Sequence, residues 1–195
     1  MTIVSQAELI TGAIAGKIVS FPTDTVPALA VKPELAESIF QLKQRGSEKP
    51  LILMGASLAD LLPYLDDRDG KLNNCWQSIE RYIPGALTLV LAASSLVPPA
   101  MNPQTPNTIG IRIPDNDIAC TILQQTGALA TTSANLSGSP PLETMNEIDR
   151  AFPNILVLDR GELDNQQVMG SGLPSTVAKW TETGWQILRQ GSVYL

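Results

Sequence analysis

The chain of 195 residues contains no histidine. That absence excludes Ser-His-Asp and Cys-His catalysis, His-ligated zinc and a histidine pH switch. Cysteine is nearly absent too. Cys75 and Cys120 form neither a CxxC nor a disulfide framework, and they read as small core residues of a protein kept in a reduced compartment. No apolar run reaches the roughly 18 residues that span a bilayer, and the N-terminal segment has no charged stretch leading into an apolar core. A soluble, cytoplasmic protein with no membrane partner is expected. Neither GxxxxGK[ST] nor GxGxxG occurs, so a bound nucleotide must be held by side chains and strand-end backbone groups. No spacing pairs two carboxylates as a two-acid hydrolase requires. With 13 Lys and Arg against 19 Asp and Glu, the formal charge is −6, which argues against a uniformly basic nucleic-acid coat.

What is present is a globular composition, 44% hydrophobic and 16% charged. Ser5-Gln6-Ala7-Glu8 is a capping-box pattern that opens a helix running to about Gly16. Ile18 to Phe21 reads as a buried strand. Pro33 starts a helix that fades near Lys43 to Arg45, with Leu35, Ile39 and Leu42 on one face. Leu51 to Met54 is strand, Ser57 caps a helix, and another helix covers Lys71 to Tyr82 until Pro84-Gly85 breaks it. Leu87 to Ala92 is strand. Val97 to Asn107 carries Pro98, Pro99, Pro103 and Pro106 and reads as a loop. Thr108 to Ile113 is strand, Asp115 to Thr126 helix with Gly127 as its stop, and Ala128 to Asn135 strand. Glu143 to Phe152 is helix and Ile155 to Asp159 strand. Ser175 to Trp180 and Trp185 to Arg189 form a closing hairpin. The expected fold is one α/β domain over residues 1–195, a mixed parallel and antiparallel sheet flanked by helices, with parallel pairs early and an antiparallel close.

Polar residues recur on strands. Residues two apart share a face, so Ile109, Ile111 and Ile113 face a core while Thr108, Gly110 and Arg112 face the other way. An arginine there fits a surface position as well as a ligand site; the neighbouring glycine favours a ligand lying close to the sheet. Thr131, Ser133 and Asn135 share a face in the same manner, which also fits a strand running into a polar turn. Arg189 shares the face of Trp185 and Ile187 by spacing. Lys43 to Lys49 carries net +2 within an acidic chain. Such an island suits a phosphate chain better than a long polyanion, but on local grounds a solvated helix C-terminus is the better explanation. Asp24, between two threonines, reads as a capping or turn residue.

Taken together, seven segments resemble the YrdC/Sua5 family, the threonylcarbamoyl-AMP synthases, in family order over roughly residues 15 to 192. They are Pro22-Thr23-Asp24-Thr25-Val26, Lys43-Gln44-Arg45 with Lys49-Pro50-Leu51-Ile52, and Pro84-Gly85-Ala86-Leu87-Thr88-Leu89-Val90-Leu91. Thr108-Ile109-Gly110-Ile111-Arg112-Ile113-Pro114, Ser133-Ala134-Asn135, Pro174-Ser175-Thr176-Val177 and Leu188-Arg189-Gln190-Gly191 complete the set. The resemblance implies the short, single-domain form, with a twisted mixed sheet around a large, concave, positively charged cavity. It implies condensation of L-threonine, bicarbonate and ATP to threonylcarbamoyl-AMP and pyrophosphate, feeding the t6A modification of tRNA through a downstream transferase. It further implies that Lys43, Arg45, Lys49, Thr108, Asn135 and Arg189 contact ATP, with Lys43 and Arg45 acting in catalysis. Thr23 or Thr25, Arg112, Ser133 and Ser175 then hold threonine and its carbamate. Magnesium accompanies ATP, held by phosphates and water. Where the family usually continues its first motif as Val-Tyr-Gly-Leu, this chain has Val26-Pro27-Ala28-Leu29, and Met54 stands where many members place a histidine. Two alternatives stay open: an RNA-binding or ribosome-associated module on the same fold with synthase activity lost, and adenylating chemistry with another amino acid or one-carbon donor.

Overall fold

The computed structural model describes residues 2–44, 46, 49–68, 70, 72–161 and 164–195, with Asn73 and Asn74 described in backbone only. Its centre is a single sheet of ten strands: β1 (Ile3–Val4), β2 (Val19–Phe21), β3 (Ala28–Val31), β4 (Ile52–Met54), β5 (Leu87–Ala92), β6 (Thr108–Arg112), β7 (Leu129–Ser133), β8 (Leu156–Leu158), β9 (Thr176–Thr181) and β10 (Gly184–Arg189). Their spatial order is β1-β8-β2-β3-β7-β4-β6-β5-β9-β10. The helices are α1 (Gln6–Ile14), α2 (Ala36–Lys43), α3 (Leu58–Leu61), α4 (Leu72–Gln77), α5 (Asp117–Thr126) and α6 (Met145–Ala151).

The helix starts follow from their caps. Ser5 and Glu8 close the capping box of α1, Thr144 and Glu147 that of α6, and Asn116 accepts from the Ala119 amide at the head of α5. Gly127, at φ 76°, ends α5. Two apolar clusters then form on the sheet. One packs α1, α5 and α6 through Leu9, Ala13, Ile122 and Ile148 against Phe21 and Val157. The other collects Leu53, Leu89, Ile109, Ile111 and Ala178 beneath α2, α3 and α4. The three isoleucines of the β6 segment are buried on that side as their alternation predicts.

Three expectations need correction. Ala28 to Val31, not anticipated as strand, is β3 at the middle of the sheet, buried on both faces. An all-apolar run with two alanines has neither the polar alternation nor the β-branched bias that marks a strand. The early pairs are antiparallel, β2 with β3 and β3 with β7. Parallel pairs instead join strands far apart in sequence: β1 with β8, β2 with β8, β4 with β6 and β5 with β9. The helix expected over 71–82 reduces to α4 and a 3-10 turn at Glu80–Tyr82.

The proline-rich segment is pinned. Met101 is fully buried and its carbonyl accepts from the Leu51 amide at 2.9 Å. Asn102 donates to the Thr108 carbonyl at 3.1 Å and to its Oγ1 at 3.0 Å. Among the described residues, no helix is long and apolar enough to cross a membrane.

Cys75 is 1% exposed, and burial pushes its thiol up to about 12. Iodoacetamide at pH 8 should therefore leave Cys75 unmodified until the chain unfolds, when it labels at the rate of a free thiol. Rapid labelling of the folded protein at Cys75, read by peptide mass, would contradict its placement. The folded thiol titrates above an unfolded one, so this group's contribution to stability is present at neutral pH and is lost as pH rises from about 9 towards 12.

Candidate functional site

The polar positions of the central strands meet at one chamber of about 240 Å³. Its walls come from the 23–27 loop, the end of α2, β4, β7, the 135–138 turn, Pro174-Ser175 and Arg189. Among its described lining residues four are cationic, Lys43, Lys49, Arg112 and Arg189, and none is acidic. Such a wall favours an anion.

Arg112 reaches the chamber because β6 alternates, and it is only 6% exposed. Its Nε donates to the Gly85 carbonyl at 3.2 Å, Nη1 to Thr25 Oγ1 at 2.7 Å and Nη2 to Asp24 Oδ1 at 2.6 Å. A guanidinium has five N–H groups, so two remain for a ligand. Burial pulls the Arg112 pKa below the usual arginine range; Asp24 opposes this, and the charge of Arg189 adds to it. Two guanidinium groups thus sit within each other's field. Asp24 is not merely a turn residue: its carboxylate fixes the Arg112 fork. An isolated acid inside the uncharged stretch 18–31 was the available signal.

Thr23 and Thr25 are buried in a directional chain. The Thr23 hydroxyl donates to the Val26 carbonyl at 2.8 Å, so in its contact with Thr25 Oγ1 at 3.1 Å it accepts. Thr25 in turn accepts from Arg112. Thr23 Oγ1 also accepts from the Thr25 amide at 3.2 Å, which exhausts it. Both protons are committed, and what the pair offers a ligand is the remaining acceptor site of Thr25, suited to an N–H.

Lys43 lies on the stripe Ala36, Ile39, Lys43 that buries α2, and it is 2% exposed. The solvated-terminus reading of the basic island fails for this residue. Leu35, expected on the buried face, is 40% exposed. The Lys43 ammonium donates to the Ser133 carbonyl and, at 2.9 Å, to Asn135 Oδ1. Asn135 also accepts from Ser133 Oγ at 2.6 Å and donates to the Leu136 and Ser139 carbonyls. Its amide therefore shapes the turn and steadies Lys43. Replacing Lys43 by methionine keeps the packed stem but removes the charge. Calorimetry should then find tripolyphosphate binding weakened about 10- to 100-fold, the worth of a charged hydrogen bond. Unchanged affinity would remove Lys43 from the anion site.

Arg189 arrives by an irregularity. The β9–β10 ladder runs regularly to Ile187 opposite Ala178, then shifts so that Arg189 lies opposite Val177. The bulge turns Arg189 away from the face of Trp185 and Ile187, correcting the expectation from spacing, and onto the face of Ser175. Its Nη2 donates to the Ser175 carbonyl at 2.7 Å and contacts Ser175 Oγ at 3.3 Å. Ser175 Oγ also shares a hydrogen bond with buried Thr88 at 2.8 Å. Thr88, singled out by sequence only as part of a segment, signals this role as a buried polar residue in an apolar strand.

Lys49, Ser133 and Ser175 line the chamber. Thr108 does not. It begins β6, four residues from Arg112 and so about 13 Å along the strand. It borders a separate cavity near Trp180 and is bonded to the Asn102 side chain. Same-face spacing gives direction but not distance along a strand. Arg45 lies outside the described residues. Pro27, Ala28 and Met54 line the chamber, Met54 opposite Arg112 and Ala28 opposite Ser133 in the strand register.

Comparison with known proteins places this arrangement. The family model Sua5_yciO_yrdC, described as "Telomere recombination", matches residues 13–191. A rat protein named threonylcarbamoyl-AMP synthase is 33% identical over 183 residues, 91% of this chain and 63% of its own length. The protein of that name from Vibrio campbellii is 33% identical over 181 residues, 90% of this chain and 93% of the relative. The crystal structure of P. abyssi Sua5 complexed with L-threonine superposes with a TM-score of 0.82 at 27% identity, covering 97% of this chain and 56% of that one. The chain thus spans under two thirds of the rat and P. abyssi proteins and most of the Vibrio one.

Proposed function

Because the chain belongs to the Sua5/YciO/YrdC family, we propose that it is an L-threonylcarbamoyladenylate synthase, a nucleotidyltransferase acting in the cytoplasm. The observation that carries this reading is the convergence of Lys43, Arg112 and Arg189 on one hydroxyl-rich chamber whose described lining holds no acid. Threonine and bicarbonate give the threonine N-carbamate and water. A carbamate oxygen attacks the α-phosphorus of ATP; the new O–P bond forms as the bond to the β-phosphate oxygen breaks, and pyrophosphate leaves. The carbamate is already an anion, so no general base is required, which suits a chain without histidine. Fixed cations stabilise the charge that builds on the phosphate oxygens.

In this reading Lys43, Lys49 and Arg189 serve the triphosphate, together with Arg45. Asn135 acts by holding Lys43. The two free N–H groups of Arg112 take the threonine carboxylate, and the acceptor oxygen of Thr25, which Thr23 holds in place, suits the carbamate N–H. Ser133 and Ser175 complete the wall around the carbamate. Among the described residues no group of three acidic or cysteine side chains is placed to hold a metal ion. Among the described residues the protein's own donors therefore do not form a magnesium cage, and the ion would enter on the phosphates. The product is an activated carbamoyl donor, consumed by the transferase that makes t6A on tRNA.

The test is pyrophosphate release by the purified protein. Release is expected only with ATP, threonine and bicarbonate together. Release without threonine, or with another amino acid in preference, would overturn the substrate assignment.

A further inference from the structure

Arg189 has a weak claim to its place. It closes an edge strand whose last four residues are exposed, and it follows a bulge that interrupts the ladder. Among the described residues its hydrogen bonds go to Ser175 alone. It also lies in the repulsive field of Arg112. Something must keep this long, rotamer-rich side chain over the chamber.

We propose that Thr176, with the Gly191–Val193 segment clasped on its hydroxyl, is the positioning device that holds Arg189 for the nucleotide phosphates; the inference rests on the nucleotide reading given above. Thr176 is fully buried. Its Oγ1 accepts from the Gly191 amide at 2.9 Å and the Val193 amide at 3.1 Å, and donates to the Val193 carbonyl at 2.8 Å. One donor and two acceptors exhaust a hydroxyl, so the side chain is wholly spent on this segment. The fit is close from the other side. A Cβ on Gly191 would lie 2.4 Å from the Pro174 carbonyl oxygen and 2.5 Å from the Thr176 amide nitrogen, both backbone atoms. Gln190 ties the turn internally, donating to the Gly191 and Val193 carbonyls at 2.9 and 2.8 Å. Tyr82 anchors the next residue through the Tyr194 carbonyl at 2.9 Å.

Two adjacent residues thus hold both ends of one short stretch. The Ser175 carbonyl receives the Arg189 guanidinium, and the Thr176 hydroxyl receives the backbone that follows it. Fixing the backbone two residues beyond Arg189 removes the swing that would carry the arginine into solvent, away from Arg112. The arrangement pre-organises two like charges that would otherwise separate, and an anion between them then binds without first paying to assemble its site.

The test is calorimetric titration of inorganic tripolyphosphate into the wild-type protein, Arg189→Ala, Thr176→Val, Thr176→Ser and the double variant Thr176→Val/Arg189→Ala. Thr176→Val keeps the volume and removes the hydroxyl. It should weaken binding by about tenfold, the scale of one displaced charged contact. Thr176→Ser, which keeps the hydroxyl, should restore wild-type affinity. The double variant should bind no more weakly than Arg189→Ala alone, because Thr176 acts only through Arg189. Gly191→Ala, which strains the same clasp with the hydroxyl in place, should repeat the Thr176→Val result and serves if that variant fails to fold. Wild-type affinity in both Thr176→Val and Gly191→Ala, with Arg189→Ala weakened, would overturn the clasp alone. A further loss of the same factor in the double variant would overturn it as well. Wild-type affinity in Arg189→Ala would overturn the phosphate reading of the chamber, and the clasp with it.

Discussion

Arg112→Ala is expected to lower threonine-dependent pyrophosphate release by about 10²- to 10³-fold, the range for removing a preorganised charge contact from a transition state. It should also destabilise the fold by about 3–5 kcal/mol, because Asp24 is left as a nearly buried carboxylate without its partner. The two effects separate in a second variant. Arg112→Ala with Asp24→Asn removes both charges, so melting temperature should recover substantially while activity stays lost. Arg112→Lys should not rescue turnover, since one ammonium cannot meet Gly85, Thr25 and Asp24 and still offer two N–H groups to a carboxylate. Full activity in Arg112→Ala would reject its role; recovery of activity in the double variant would show that only stability had been measured.

Gly170→Ala should be among the most damaging single-methyl changes at the described glycines. Gly170 has φ +68°, and an added Cβ would lie 2.3 Å from the Thr25 carbonyl oxygen and 2.8 Å from that of Thr23. Both obstacles are backbone, and both belong to the loop that seats Arg112. The neighbouring amides of Ser171 and Gly172 already bond the carbonyls of Asp24 and Thr25 at 3.0 Å. The methyl must therefore push the 23–25 loop away from Arg112. The expected loss is about 3–5 kcal/mol, within the range of severe single mutants, with activity falling alongside. Gly127→Ala is the control. It has φ +76° and ψ −175°, with nothing within 4 Å of the added Cβ, so it should cost only the penalty of a backbone region nearly closed to other residues, about 1–3 kcal/mol, and leave activity intact. Equal effects in the two variants, measured by denaturant unfolding, would show that backbone conformation alone, and not the close approach, limits Gly170.

How much of this was readable beforehand depended on whether a signal was local. The alternation in β6 gave both the buried isoleucines and the direction of Arg112, because a pleated strand imposes period two whatever surrounds it. The caps at Ser5 of α1 and Ser57 of α3 were likewise local. Family order supplied Thr23, Thr25, Lys43, Ser133 and Ser175 as chamber residues, which residue patterns alone left undecided. What stayed hidden was non-local. The bulge that re-aims Arg189 depends on how β10 registers on β9. The burial of Lys43 depends on where α2 lies, since its own composition suits a solvated terminus as well. β3 is a strand because antiparallel neighbours claim both its edges, not because Ala28-Leu29-Ala30-Val31 prefers to be one. Thr108 was assigned to the site by the resemblance, and β6 carries it to a different cavity.

The most direct measurement is a crystal structure of the protein with threonine and a non-hydrolysable ATP analogue. Triphosphate oxygens within hydrogen-bond reach of Lys43 and Arg189, with the amino-acid carboxylate on Arg112, are the predicted result. A nucleotide seated elsewhere, for example in the cavity beside Thr108 and Trp180, with Arg112 and Arg189 untouched, would contradict the account.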